Sequence, residues 1–186
     1  MLSANQAKEK LIEGNRIYMT ARTNPGDISP EARQKTMMEG QHPYAIILCC
    51  SDSREIPEAI FSAGIGELFV IRVAGNVIDE HQLGSIEYAA DHLGCKLIVV
   101  MGHNHCGAVE AAIKHDPDGH IKYITDDIRE AIKGETDEYI ASCLNVRHSV
   151  HLIHENVDML HLEESGLEII GAMYHIEDGR VIFLED

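Results

Sequence analysis

Four short stretches constrain the fold of this 186-residue chain more than any other feature: "YAIILCC" (44–50), "LFVIRVA" (68–74), "LIVVMG" (97–102) and "LEIIGAMY" (167–174). Each is a continuous apolar run rich in Ile and Val, without the alternation of a half-exposed strand. Runs of this length suit strands buried on both faces of a parallel sheet. Helix-period segments lie between them. Ser3 followed by Gln6 forms a capping-box pattern that opens an extended N-terminal helix to about residue 20. Asp79 and Gln82 repeat the pattern ahead of "LGSIEYAADHL", and Gly94 stops that helix. Over 138–164, Ile140, Cys143, Val146, Val150, Ile153, Val157 and Leu160 recur at three- and four-residue steps, predicting one long amphipathic helix. Asp178-Gly179 between the last apolar runs predicts a hairpin. The segment 20–33, punctuated by Pro25-Gly26 and Pro30, reads as a loop. Strands alternating with helices make the chain α/β. No repeat or linker divides it, so residues 1–186 are expected to form a single domain.

Composition excludes several functions. A formal net charge of −16 repels nucleic acid and anionic lipid, so neither is an expected partner. No apolar run approaches the ~18 residues of a membrane span. The opening residues lack the apolar core of a secretory signal, and a cytoplasmic location is expected. Five cysteines, an odd number, argue against a disulfide framework and turn attention to metal binding.

Two stretches carry the chemistry, "CCSDSR" (49–54) and "GHNHCG" (102–107). Cys50 follows one expected strand and His103 another, at the carboxyl ends where open α/β sheets gather their sites. Cys106 lies one turn beyond His103, at the mouth of a helix starting near Ala108. Two thiolates and an imidazole are a ligand set that Zn²⁺ prefers. No C-x-x-C occurs, so a zinc ribbon is not expected, and three protein ligands suit an open catalytic site. Asp52 is close enough to close that site. Arg54 offers a fork of donors that can hold the carboxylate aside, although spacing alone fits a surface ion pair equally well.

These motifs, with "GELFVIRVAGN" (66–76) and "GSIEYAADHLG" (84–94), resemble the β-class carbonic anhydrases over residues 40–110. The resemblance implies a central sheet of four parallel strands plus an antiparallel edge strand. It implies reversible hydration of carbon dioxide to bicarbonate and a proton by zinc-bound hydroxide, with one Zn²⁺ per chain. Cys50, His103 and Cys106 are then the zinc ligands, Asp52 and Arg54 the catalytic dyad, and Gln41, Phe69 and Tyr88 the substrate pocket. A homodimer or homotetramer with active sites at the subunit interface is implied as well. The chain has no Trp, and Ile47 stands where a bicarbonate-regulated subgroup carries one, which points to the plant-like, open-site subgroup. Glu55-Ile56 departs from the family, where an apolar residue more often comes first. Two other functions compete: hydrolysis of carbonyl sulfide or carbon disulfide at the same zinc, and a zinc-binding homologue without turnover.

Other conspicuous residues read as structure. Cys49, Cys95 and Cys143 are expected in the core, and Arg72 as a buried, paired arginine near the subunit interface. His105 is assigned to hydrogen bonding in its turn, and Gly75 and Gly84 to close packing. His148, His151, His154 and His161 are expected to be solvated or at an interface.

Overall fold

The computed structural model describes residues 1–114, 119–156, 161–162 and 164–185. The four apolar runs become β1 (Ala45–Cys49), β2 (Leu68–Arg72), β3 (Leu97–His103) and β4 (Glu168–Tyr174), and the hairpin adds β5 (Val181–Phe183). The sheet order is β2-β1-β3-β4-β5, with β5 antiparallel at one edge and all other pairs parallel. The continuous runs are explained by burial on both sides, since successive side chains alternate between faces. Ile47, Cys49, Val99 and Met101 enter one core with α1 (Ala4–Tyr18) and α3 (Pro57–Ile60). Ile46, Leu48, Ile98 and Val100 enter the other with α4 (Glu80–Glu87) and α7 (Glu138–His154). A third cluster, including Val77, Val109 and Ile128, gathers residues of α5 (Gly107–Lys114) and α6 (Ile121–Ile132) around Cys50 and Cys106.

Local signals set the helix starts. Both capping boxes form, Ser3 with Gln6 and Asp79 with Gln82. A π-helical turn at Tyr88–His92 follows α4, and Gly94 lies beyond it at φ 68°. The expected loop at 20–33 is shorter than its prolines suggested. Pro30 opens a helix, α2 (Pro30–Glu39), with the Ser29 hydroxyl capping Ala32 N–H; its fixed φ and missing donor fit the first turn.

The long helix expected over 138–164 ends as α7 at His154; Val157 and Leu160 lie outside the described residues. Its buried face also differs from the apolar stripe. Ile140 is exposed, whereas Ser142, Asn145 and Ser149 are buried. Asn145 donates to Gly75 O at 2.7 Å and Ser149 to Asn76 O at 3.1 Å. These polar side chains satisfy carbonyls of the turn after β2, so they face inward despite their chemistry.

Gly14 sits inside α1, where glycine ordinarily weakens a helix. Here it permits backbone contact, because an added Cβ would stand 2.0 Å from Phe61 O and 2.7 Å from Phe61 C. Gly14→Ala should destabilise the protein by at least about 1–3 kcal/mol, read from urea denaturation midpoints. An unchanged midpoint would mean that α1 does not dock this closely.

Candidate metal centre

The strand order places the site. The chain runs from β1 to β2 on one side and returns to β3 on the other, so the β1/β3 junction is a topological switch point where a crevice opens at the carboxyl ends. Cys50 leaves β1 there, His103 ends β3, and Cys106 immediately precedes α5. The Sγ atoms of Cys50 and Cys106 and a ring nitrogen of His103 all lie within 4.8 Å of one another, and all three residues are buried.

His103 is oriented for coordination. Its Nδ1–H donates to Asn104 O at 2.8 Å, while Nε2 is buried without a hydrogen-bond partner. An imidazole held through one nitrogen with the other bare is the usual state of a metal ligand. Donation from the Cys106 thiol pushes Cys50 down to about 4, aided by Gly75 N–H at 3.2 Å, and the same contact holds Cys106 far above the ordinary thiol range. Soft sulfur donors, a bare imidazole nitrogen and mutual convergence fit a zinc ion.

Asp52 stands beside this set, with Oδ2 3.9 Å from His103 Nε2. Arg54 grips both of its oxygens: Nε donates to Oδ1 at 2.9 Å and Nη2 to Oδ2 at 2.7 Å, and the Arg54 backbone N–H adds a bond to Oδ1 at 2.9 Å. The Arg54 side-chain bonds hold the Asp52 carboxyl well below the usual carboxylate range. Any stability from this pairing is therefore present above that range and lost only in strong acid. Arg54 Nη2 also donates to His105 O at 3.1 Å, tying the two motifs together.

Gln41, Phe69 and Tyr88 lie elsewhere in the chain. Phe69 pairs with Ile46, four residues before Cys50, or about 13 Å back along an extended strand. The Tyr88 ring is 6.2 Å from the Phe69 ring, so those two are brought together. Gln41 precedes the amino end of β1, the end opposite Cys50, and is exposed.

Three neighbours of the site have contacts that the sequence did not reveal. Glu55 is completely buried, and its Oε2 accepts Cys50 N–H at 3.0 Å. Burial pushes its carboxyl up to about 8. Arg72 is exposed in the single chain and paired: its guanidinium reaches over the loop to Cys50 O at 3.1 Å and Asp52 O at 2.7 Å. Asn104 orients His103 through its carbonyl and bonds Ile176 N–H through its side chain. An acid directly after the motif was the only sequence signal for Glu55; nothing local marked the contacts of the other two.

The remaining expectations divide. Cys49 and Cys95 are buried in the core, and Cys143 packs against it half-buried. His105 adopts φ 54° in its turn; its carbonyl accepts from Arg54 while its ring faces Glu138 at 3.5 Å. Gly75 is closely packed, with Ile128 Cδ1 2.7 Å from where a Cβ would stand. Gly84 is not, since nothing lies within 4 Å of that position. Among the described residues no second group of potential metal ligands converges, so His148, His151, His154 and His161 form no such site.

An open α/β sheet with a Cys-His-Cys set and a clamped aspartate at its switch point defines a narrow class of metalloprotein. The carbonic anhydrase family model matches residues 45–181. Carbonic anhydrase 2 of Mycobacterium tuberculosis is 35% identical over 197 residues, covering 95% of this chain and 90% of that protein. The β-carbonic anhydrase CafA of Aspergillus fumigatus superposes with a TM-score of 0.78 at 28% identity, covering 83% of this chain and 81% of that one. A structure from the tetrameric β-carbonic anhydrases of Sordaria macrospora gives 0.69 at 28% identity, covering 84% and 92%. This chain belongs to the β-class carbonic anhydrase family.

Proposed function

We propose that the protein is a carbonate dehydratase that interconverts carbon dioxide and bicarbonate, with Zn²⁺ held by Cys50, His103 and Cys106. The observation that carries this reading is the buried convergence of those three ligands beside a carboxylate whose oxygens are both gripped by Arg54. Zinc, when bound, supplies a Lewis acid that makes water nucleophilic near neutral pH. Asp52 accepts a hydrogen bond from the attacking water and turns its lone pair toward the carbon. Arg54 keeps Asp52 from closing the site as a fourth ligand, the open arrangement. Arg72 fixes the loop between them through its carbonyls.

The substrate pocket needs a second chain. Gln41, Phe69 and Tyr88 lie back along the sheet from their own Cys50, so a neighbouring copy supplies them across a two-fold interface. Exposed surface supports this: Tyr88 is 46% exposed, and α2 buries none of its residues, leaving Met37 and Met38 open. Phe69 and Tyr88 would form an apolar wall for carbon dioxide, and Gln41 would donate to the oxygen that gains charge. Among the described residues no helix is long and apolar enough to cross a membrane.

The sulfur-analogue and non-catalytic readings are less favoured. The M. tuberculosis relative is named a carbonic anhydrase, and Asp52, Arg54 and Gln41 would be superfluous in a purely structural zinc site. The deciding experiment is stopped-flow carbon dioxide hydration before chelation, after it, and after zinc restoration. The reading expects about one zinc per chain, with activity lost and regained alongside it. A fully loaded protein without hydration would move the function to one of the other two readings.

A further inference from the structure

The loop from Cys50 to Glu55 is held from both sides, and one of its holders is costly. On the outside, Arg72 binds the Cys50 and Asp52 carbonyls. On the inside, the completely buried Glu55 carboxyl accepts Cys50 N–H through Oε2 at 3.0 Å, while Oε1 has no partner. The Glu55 backbone N–H closes the loop onto Asp52 O at 3.0 Å. Gly75 N–H takes the Cys50 sulfur. Every polar group of Cys50, amide, carbonyl and thiol, therefore has a fixed partner.

A buried carboxyl with one bare oxygen is an expensive way to satisfy one amide. Cys50 leaves β1 at this point, so its N–H no longer has a strand partner, and the angle of that peptide determines where Sγ points. We infer that Glu55 is a positioning residue for the metal centre: its Oε2 fixes the Cys50 peptide and thereby the direction of Sγ toward His103 and Cys106. Groups that orient a ligand typically change metal affinity by about 10–100-fold when removed. The inference rests on Cys50 being a metal ligand, as proposed above.

The test compares wild type with Glu55→Gln, Glu55→Asp and Glu55→Val, each first checked for folding by far-UV circular dichroism. Zinc affinity is measured by competition with a chromophoric chelator. The cobalt(II)-substituted proteins report ligand geometry through their thiolate charge-transfer and d–d bands. Gln keeps an acceptor at the same reach and should stay within about threefold of wild type, with unchanged bands. Asp keeps the carboxyl group but is one methylene too short, and Val has no acceptor. Both should lose about 10–100-fold in zinc affinity and shift the cobalt bands. Should Val fail to fold, the Asp and Gln pair still decides.

Asp matching wild type in affinity and spectrum would overturn the inference, as would Gln falling as far as Asp. A wild-type protein that binds no zinc would instead overturn the reading of the site itself, and the inference with it.

Discussion

Asp52→Asn should leave the protein folded and zinc-loaded while lowering kcat/KM for carbon dioxide hydration by about 100- to 10,000-fold. The geometry dictates this sign. Both Asp52 oxygens accept from Arg54, at 2.9 and 2.7 Å. An asparagine turns one of them into an amide donor facing a guanidinium, so the clamp loses a bond and the side chain loses its fixed orientation. It also loses the charge that, in the proposed mechanism, would receive a hydrogen bond from the attacking water. Cys50, His103 and Cys106 are untouched, so metal content should remain at the wild-type level. Zinc analysis alongside stopped-flow kinetics checks both halves. Near-normal turnover in this variant would remove Asp52 from the mechanism.

Two dead variants should restore activity when combined. Cys106→Ser removes a proposed metal ligand, and Gln41→Ala the proposed oxyanion donor; each alone should lose most hydration. If one chain's metal centre works with its neighbour's Gln41, a mixed dimer contains one complete site. Random mixing makes half of the dimers mixed, each with one of its two sites intact, so about a quarter of wild-type activity should return. The mixture must be unfolded and refolded, or co-expressed, to exchange chains. Activity no greater than the sum of the separate variants would place Gln41 outside the partner's site. The strand register motivates the test, because Phe69 lies level with Ile46 rather than with Cys50.

The sequence was most legible where a local rule and the tertiary structure agree. The four apolar runs became strands because both faces of the sheet are covered, and continuous hydrophobicity is the mark of that burial. The capping pairs at Ser3/Gln6 and Asp79/Gln82 formed because their bonds are local. Convergence of Cys50, His103 and Cys106 followed from strand ends meeting at a switch point.

The signal failed where a long-range partner decides the outcome. Asn145 and Ser149 are buried to meet carbonyls some seventy residues away, which no helical periodicity could reveal. Arg72 was expected to be paired, but nothing local revealed that its partners are carbonyls of a loop twenty residues earlier. Pro30 resembled a loop breaker because proline also suits the first turn of a helix. Glu55 stood out only as an unexpected acid until its contact with Cys50 N–H gave it a role.

The most direct test of the central claim is X-ray diffraction from crystals grown at mildly alkaline pH, with anomalous data collected on both sides of the zinc absorption edge. The account predicts one strong zinc peak per chain, about 2.3 Å from the Cys50 and Cys106 sulfurs and about 2.0–2.1 Å from His103 Nε2, with solvent at the fourth position. Zinc elsewhere, or a fourth protein side chain bound to it at that pH, would contradict it.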